Sequence, residues 1–215
     1  MRRLVLPRAV ALLGAVALLA ACSSVAVPIE RFYRLRQPSP EADDPLRIGT
    51  LRVHDLQLGT ALDSDRLLVQ RGVRLEPRPL ARWVAPLDRL VTDALVLGLS
   101  RARVCELVKS SLDPGAETWS LHGRIVDFVE EAEGDAAKAS VTLELWLERD
   151  GRLEFQDEFR CVEPMAESSP EAAVAALSNA LNHIVRDVVG RMRSLDLFAA
   201  ERSRRVSAEV AEPPR

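Results

Sequence analysis

Aromatic side chains are scarce: five Phe, three Trp and one Tyr make up 4% of 215 residues. So few rings do not build a stacking platform for single-stranded nucleic acid. No long block of Lys or Arg occurs and the formal net charge is −3, so the electrostatic footprint of a phosphate-backbone binder is missing too. Histidines are limited to His54, His122 and His183, and cysteines to Cys22, Cys105 and Cys161. None of them offers a second ligand at metal spacing, and no Cys-x-x-Cys exists. Also absent are Gly-x-Ser-x-Gly, a phosphate-cradling Gly loop with Lys, and His-Glu-x-x-His. His54, Asp55 and Ser64 supply the residue types of a triad, but their spacing carries no geometry for one. The expectation is therefore no catalytic residue, no metal, no cofactor and no enzymatic activity. Outside the N-terminal run, no apolar stretch approaches the ~20 residues of a bilayer-spanning helix.

What is present begins with that run. Arg2, Arg3 and Arg8 precede Ala9–Ala21, which leads into Leu19-Ala20-Ala21-Cys22. Basic start, short apolar middle and small residues before a cut are the layout of a secretory leader, and the Leu-Ala-Ala-Cys ending is that of a bacterial lipoprotein. Cleavage before Cys22 frees an α-amino group beside a thiol, and both accept acyl chains. Three chains exceed what stable anchoring requires. Ser23 in the following position, where Asp is absent, fits onward transfer to the outer membrane. The expected organisation is a signal peptide at 1–21, a lipidated tether at 22–28, a single α/β domain at 29–197 and a disordered polar tail at 198–215. Removing 21 residues from 215 leaves 194, enough for one packed domain.

Within the domain, Ile29–Leu35, Leu46–Leu56 and Asp65–Leu75 read as strands, with Gly72 a kink or hairpin and Pro77 and Pro79 closing the segment. A helix is predicted from Pro86 to about Cys105, with apolar residues at spacings of three and four. Thr118–Val129 alternates, with Trp119, Leu121, Gly123, Ile125 and Val129 on one face. Glu130–Ala137 reads as a charged turn. Ala139–Glu148 alternates again, and Asp150-Gly151 is a strong hairpin signal that returns the chain along Leu153–Val162. Ser169 as N-cap and Pro170 at the first position open a second helix to Arg193. This is an α+β fold, expected to be a mostly antiparallel sheet covered on one face by two main helices.

Three features leave alternatives open. Cys105 and Cys161, in an oxidising compartment, form one disulfide or remain two packed thiols. Trp83 is either a core plug where helix meets sheet or an exposed anchor for a partner. Arg31-Phe32-Tyr33-Arg34 is a binding edge or a strand with one wet face. Phe32, Tyr33, Arg82 and Trp83 are the candidate partner-binding residues.

Phe32-Tyr33-Arg34-Leu35 shortly after a lipidated Cys, Ile48 and Val53 in a strand, Leu62-Asp63-Ser64-Asp65-Arg66-Leu67-Leu68-Val69, and Arg82-Trp83-Val84-Ala85-Pro86-Leu87 before a helix together resemble the ABC-type transport auxiliary lipoproteins. That family includes the third component of the paraquat-inducible transport system. The resemblance covers about Phe32 to Met192. It implies a non-catalytic lipoprotein at the periplasmic face of the outer membrane. The implied partner is an MCE-domain protein of an intermembrane lipid transport system, with an associated permease and ATPase. The resemblance is compatible with a homo-oligomer. The alternative is an envelope structural or assembly lipoprotein serving another outer-membrane complex.

Overall fold

One long strand holds the sheet together. In the computed structural model, which describes residues 28–39, 49–133 and 136–195, β7 (Trp119–Glu133) has neighbours along both edges. On one edge it pairs antiparallel with β8 (Ala136–Arg149), which pairs antiparallel with β9 (Arg152–Pro164). On the other edge three short strands line up parallel to it in chain order. These are β2 (Thr50–Val53), β3 (Gln57–Leu58) and β4 (Arg66–Arg71), with a 3-10 turn at Thr60–Leu62 between the last two. β4 returns as a hairpin into β5 (Arg74–Trp83), and β1 (Arg31–Tyr33) runs parallel to β5. β6 (Leu107–Ser110) runs parallel to β2. The nine-stranded sheet is thus mixed, where mostly antiparallel pairing was expected. The antiparallel part is the one written in local turns. The parallel part depends on pairings between segments far apart in the chain.

Helices α1 (Leu87–Arg101) and α2 (Pro170–Arg193) cover this sheet. α1 packs on β2, β3 and β6, and α2 on β7, β8 and β9. The second helix starts as its sequence directs. Ser169 is the N-cap and accepts from the Ala172 N–H at 3.2 Å, while Pro170 occupies the first turn. The helices meet at Gly98, where an added Cβ would lie 2.7 Å from Val185 Cγ1 and 3.3 Å from Pro38 Cβ. One continuous core joins both helices and the sheet, from Leu35 to Met192.

Several expectations are corrected. The turn expected at Glu130–Ala137 is strand almost throughout, since β7 continues to Glu133 and β8 starts at Ala136. The hairpin at Asp150-Gly151 forms with both residues at positive φ, 49° and 75°. The proline-bearing segment expected to end a strand is itself strand β5. Between Arg66 and Leu68 on β4, the partner jumps from Arg82 to Pro77, so β5 bulges outward there. A bulge accepts proline because it releases the chain from ladder donation. A second irregularity, between Ile125 and Asp127, switches the faces of β7. Cross-strand partners share a face. Phe128, opposite Val141, therefore continues the face of Ile125 and Leu143, and Val129 lies opposite Ser140 on the other face. The same switch turns Glu130 onto the apolar side. It is 1% exposed there and is held by Arg78 from the β5 bulge and by the Ser168 hydroxyl at 2.8 Å.

The signal peptide, Cys22, most of the tether, Ile48 and the C-terminal tail lie outside the described residues. Among the described residues, no helix is long and apolar enough to cross a membrane.

Candidate functional site

β1 stands at the end of the strand order, paired with β5. It is short, and it is secured to the body by its side chains. The Tyr33 hydroxyl donates to Glu171 Oε1 at 2.8 Å, and Arg31 Nη1 reaches the same oxygen at 3.1 Å. Glu171 lies in the first turn of α2, where the helix dipole also favours a carboxylate. The Tyr33 hydrogen bond holds the Glu171 carboxyl below its usual range. Burial, and after it the neighbouring Glu171, pushes the Tyr33 phenol up.

The four candidate residues part company here. Phe32 is 63% exposed. Tyr33 is half-buried under its bond to Glu171. Arg82 is half-buried and engaged, with its guanidinium 3.3 Å from Glu30 and 3.4 Å from Asp65. Trp83 is 4% exposed and meets Phe128 edge-on, with ring centres 5.9 Å apart. Trp83 is therefore the core plug and not an exposed anchor. The β1–β5 pairing and the turn into α1 draw it inward together with Leu87.

Two grooves flank β1. One, of about 480 Å³, is lined by Ile29, Arg31, Tyr33, Pro79, Leu80 and Pro170. Leu80 carries a φ of +59° in the β5 bulge, which brings this apolar side chain to the surface. The other, of about 240 Å³, lies between the segment after β1 and α1. Leu35, Val84, Leu90, Ala94 and Leu97 form its apolar walls, and Arg34 and Arg36 are among its polar members. That segment is fixed in place: the Arg36 N–H donates to Ser178 Oγ at 3.0 Å, and Arg101 Nη1 donates to the Pro38 carbonyl at 2.6 Å. Sequence reasoning missed Leu80, Val84 and Arg36 as groove residues, and held Arg34 only as part of a possible binding edge. The Arg34-x-Arg36 spacing beyond a strand was a readable signal for the arginines, but the bulge that exposes Leu80 was not readable.

Cys105 and Cys161 are free thiols. Cys105 precedes β6 and Cys161 lies on β9, with β2, β7 and β8 between those strands. Four strand spacings are about 19 Å, well beyond the ~7 Å that a disulfide tolerates between Cα atoms. Burial pushes the Cys105 thiol up to about 12. Cys161 is also raised, by burial first and then by Glu163.

The histidines are not brought to a common metal, and among the described residues no cluster of His, Cys, Asp and Glu could hold one. His54 instead stacks on His122, with centroids 4.0 Å apart, and His122 stacks on Trp146 at 5.8 Å. Arg52 is an internal clasp. Its guanidinium donates to the carbonyls of Ser110 and Asp113 at 3.0 and 2.8 Å, and pairs with Glu117 at 3.0 Å. It shapes the β6–β7 loop and leaves nothing free for a ligand.

A family of ABC-type transport auxiliary lipoprotein components matches this chain over residues 33–189. The chain belongs to that family. It is accordingly an auxiliary component of transport and not an enzyme. The matched span runs from Tyr33, the last residue of β1, to near the end of α2; it takes in the whole lining of the smaller groove, while Ile29, Arg31 and Phe32 precede it. Solved structures share the fold. A Xanthomonas campestris protein has 20% identity and a TM-score of 0.69, covering 81% of this chain and 99% of its own. An uncharacterized protein has 18% identity and a TM-score of 0.65, over 76% and 99%. A Chlamydia trachomatis protein has 9% identity and a TM-score of 0.50, over 69% and 97%. No curated protein matches the chain.

Proposed function

We propose that this family member is the lipid-anchored auxiliary subunit of an MCE-type intermembrane lipid transport system and acts by docking. Cys22 carries the acyl anchor in the outer membrane, and the domain faces the periplasm. The partner is the MCE-domain protein, which works with a permease and an ATPase. The family match over 33–189 carries this reading. The exposed edge at β1 is the docking element, with Phe32 as its free aromatic. Ile29 is seven residues past Cys22, so the tether extends at most about 25 Å. Holding the domain in so thin a layer raises its effective concentration at a membrane-embedded partner.

Mass spectrometry of the mature N-terminus checks the anchor, which requires an acylated Cys22. Cys22→Ala is expected to release the protein from the membrane fraction. The docking claim is checked by co-purification with an MCE-domain protein from the same cells. An acylated protein that never co-purifies with it would sink the docking claim and leave the anchor standing.

A further inference from the structure

One groove borders β1 through Arg31 and Tyr33, and the other begins just past it, at Arg34. The Val84 N–H donates to the Tyr33 carbonyl at 2.8 Å, so the Tyr33 peptide groups face β5. Along a strand these groups alternate in direction, so the N–H and C=O of Phe32 point to the open edge. Side chains alternate as well. Arg31 and Tyr33 share the face of the 480 Å³ groove with Ile29. Phe32 lies on the opposite face and lines neither groove; the 240 Å³ groove starts beyond the strand, at Arg34, Leu35 and Val84. A strand laid beside β1 would therefore set alternate side chains over the 480 Å³ groove and bring one end beside the 240 Å³ groove. Strand addition works in this way: the main chain supplies affinity and alternate pockets supply selectivity.

Charge narrows the guest further. Arg34 and Arg36 are exposed and make no ion pair among the described residues, whereas Arg31, Arg66 and Arg82 are each matched by an acid. The smaller groove counts one acid, Asp93, against these two cations.

We propose that β1 accepts an extended segment of a partner protein by strand addition, the segment being apolar at alternate positions and carrying a carboxylate that meets Arg34 and Arg36. This deepens the docking role above and rests on it, naming the chemistry of the segment that docks.

The test uses the full mature chain in detergent and a fluorescein-labelled hexapeptide, four alternating Val and Ile residues with Glu at each end. A second peptide carries Lys in place of Glu, and a third is N-methylated at alternate amides. Fluorescence anisotropy is expected to show binding of the Glu peptide, about tenfold weaker binding of the Lys peptide, and none of the N-methylated one. Phe32→Pro removes an N–H that does not serve β5. Its melting transition should be unchanged and its peptide binding lost. Should Phe32→Pro fail to fold, the N-methylated peptide carries the same question. Arg34→Glu with Arg36→Glu should reverse the preference to the Lys peptide. Equal binding of Glu and Lys peptides, full binding of the N-methylated peptide or by folded Phe32→Pro, or no binding by the wild type at millimolar peptide would each overturn the proposal. An MCE-domain protein that still co-purifies with folded Phe32→Pro would overturn strand addition alone and leave the family role intact. Peptide binding without any MCE partner would do the reverse.

Discussion

Trp83 fills space between β5 and β7, edge-on to Phe128, and little of it meets water. Truncating a ring in that position leaves a cavity, so Trp83→Ala is expected to cost about 3–5 kcal/mol, measured by urea unfolding. A variant with an unchanged midpoint would return Trp83 to the surface. His54 gives a second expectation at this scale. Burial, and after it the stacked His122, lowers its proton affinity in the folded chain. An unfolded histidine titrates near about 6.5, so below that pH the unfolded chain takes up a proton that the folded chain resists. Stability is therefore full above that value and declines as pH falls through it toward the lowered folded value. His54→Phe keeps a ring in the stack without the proton. It should flatten the melting temperature between about pH 7 and 5, where the wild type slopes.

The helices meet the sheet and each other through contacts with little tolerance. At Gly98 a methyl group would sit 2.7 Å from Val185 Cγ1, so Gly98→Ala forces α1 from α2 and from the Pro38 segment. Overpacking of this kind costs about 1–3 kcal/mol, and a lowered melting temperature checks it. An opposite weakness sits at the β5 bulge. Arg78 holds Glu130, which is 1% exposed, and both bond to Ser168 on the approach to α2. Arg78→Ala would strand a carboxylate in the core, at an expected cost of about 3–5 kcal/mol. Arg78→Ala with Glu130→Gln should recover much of that loss, which separates a charge effect from lost packing. These elements also fix a wall of the larger groove beside β1, since Leu80 reaches the surface through the same bulge.

One core reaches from Leu35 beside β1 to Met192 at the end of α2. No part of it can lose its packing without exposing apolar surface elsewhere, so thermal unfolding should be a single transition. Coincident melts by far-ultraviolet circular dichroism and tryptophan fluorescence would check this, with Trp83, Trp119 and Trp146 reporting from different strands. Two separated transitions would contradict it. β1 joins this unit through its ladder with β5 and the Tyr33–Glu171 bond, so a partner strand bound there would press directly on the folded domain.

The sequence alone determined the elements whose causes are local. The second helix follows from Ser169 and Pro170, the hairpin from Asp150-Gly151, and the buried face of β8 from the alternation of Val141, Leu143, Leu145 and Leu147. Family membership was legible too, because motif order survives in a single chain. Tertiary structure decided what depends on segments distant in the chain. Parallel pairing of β2, β3 and β4 along β7 leaves no turn signature, since its partners are more than sixty residues apart. Apolar character could not separate Trp83 in the core from Phe32 at the edge, because burial depends on which strand lies alongside. The grooves beside β1 follow from the β5 bulge and from the seat of the Arg34–Pro38 segment on the helices. Both are set by packing and not by the residues of β1 itself.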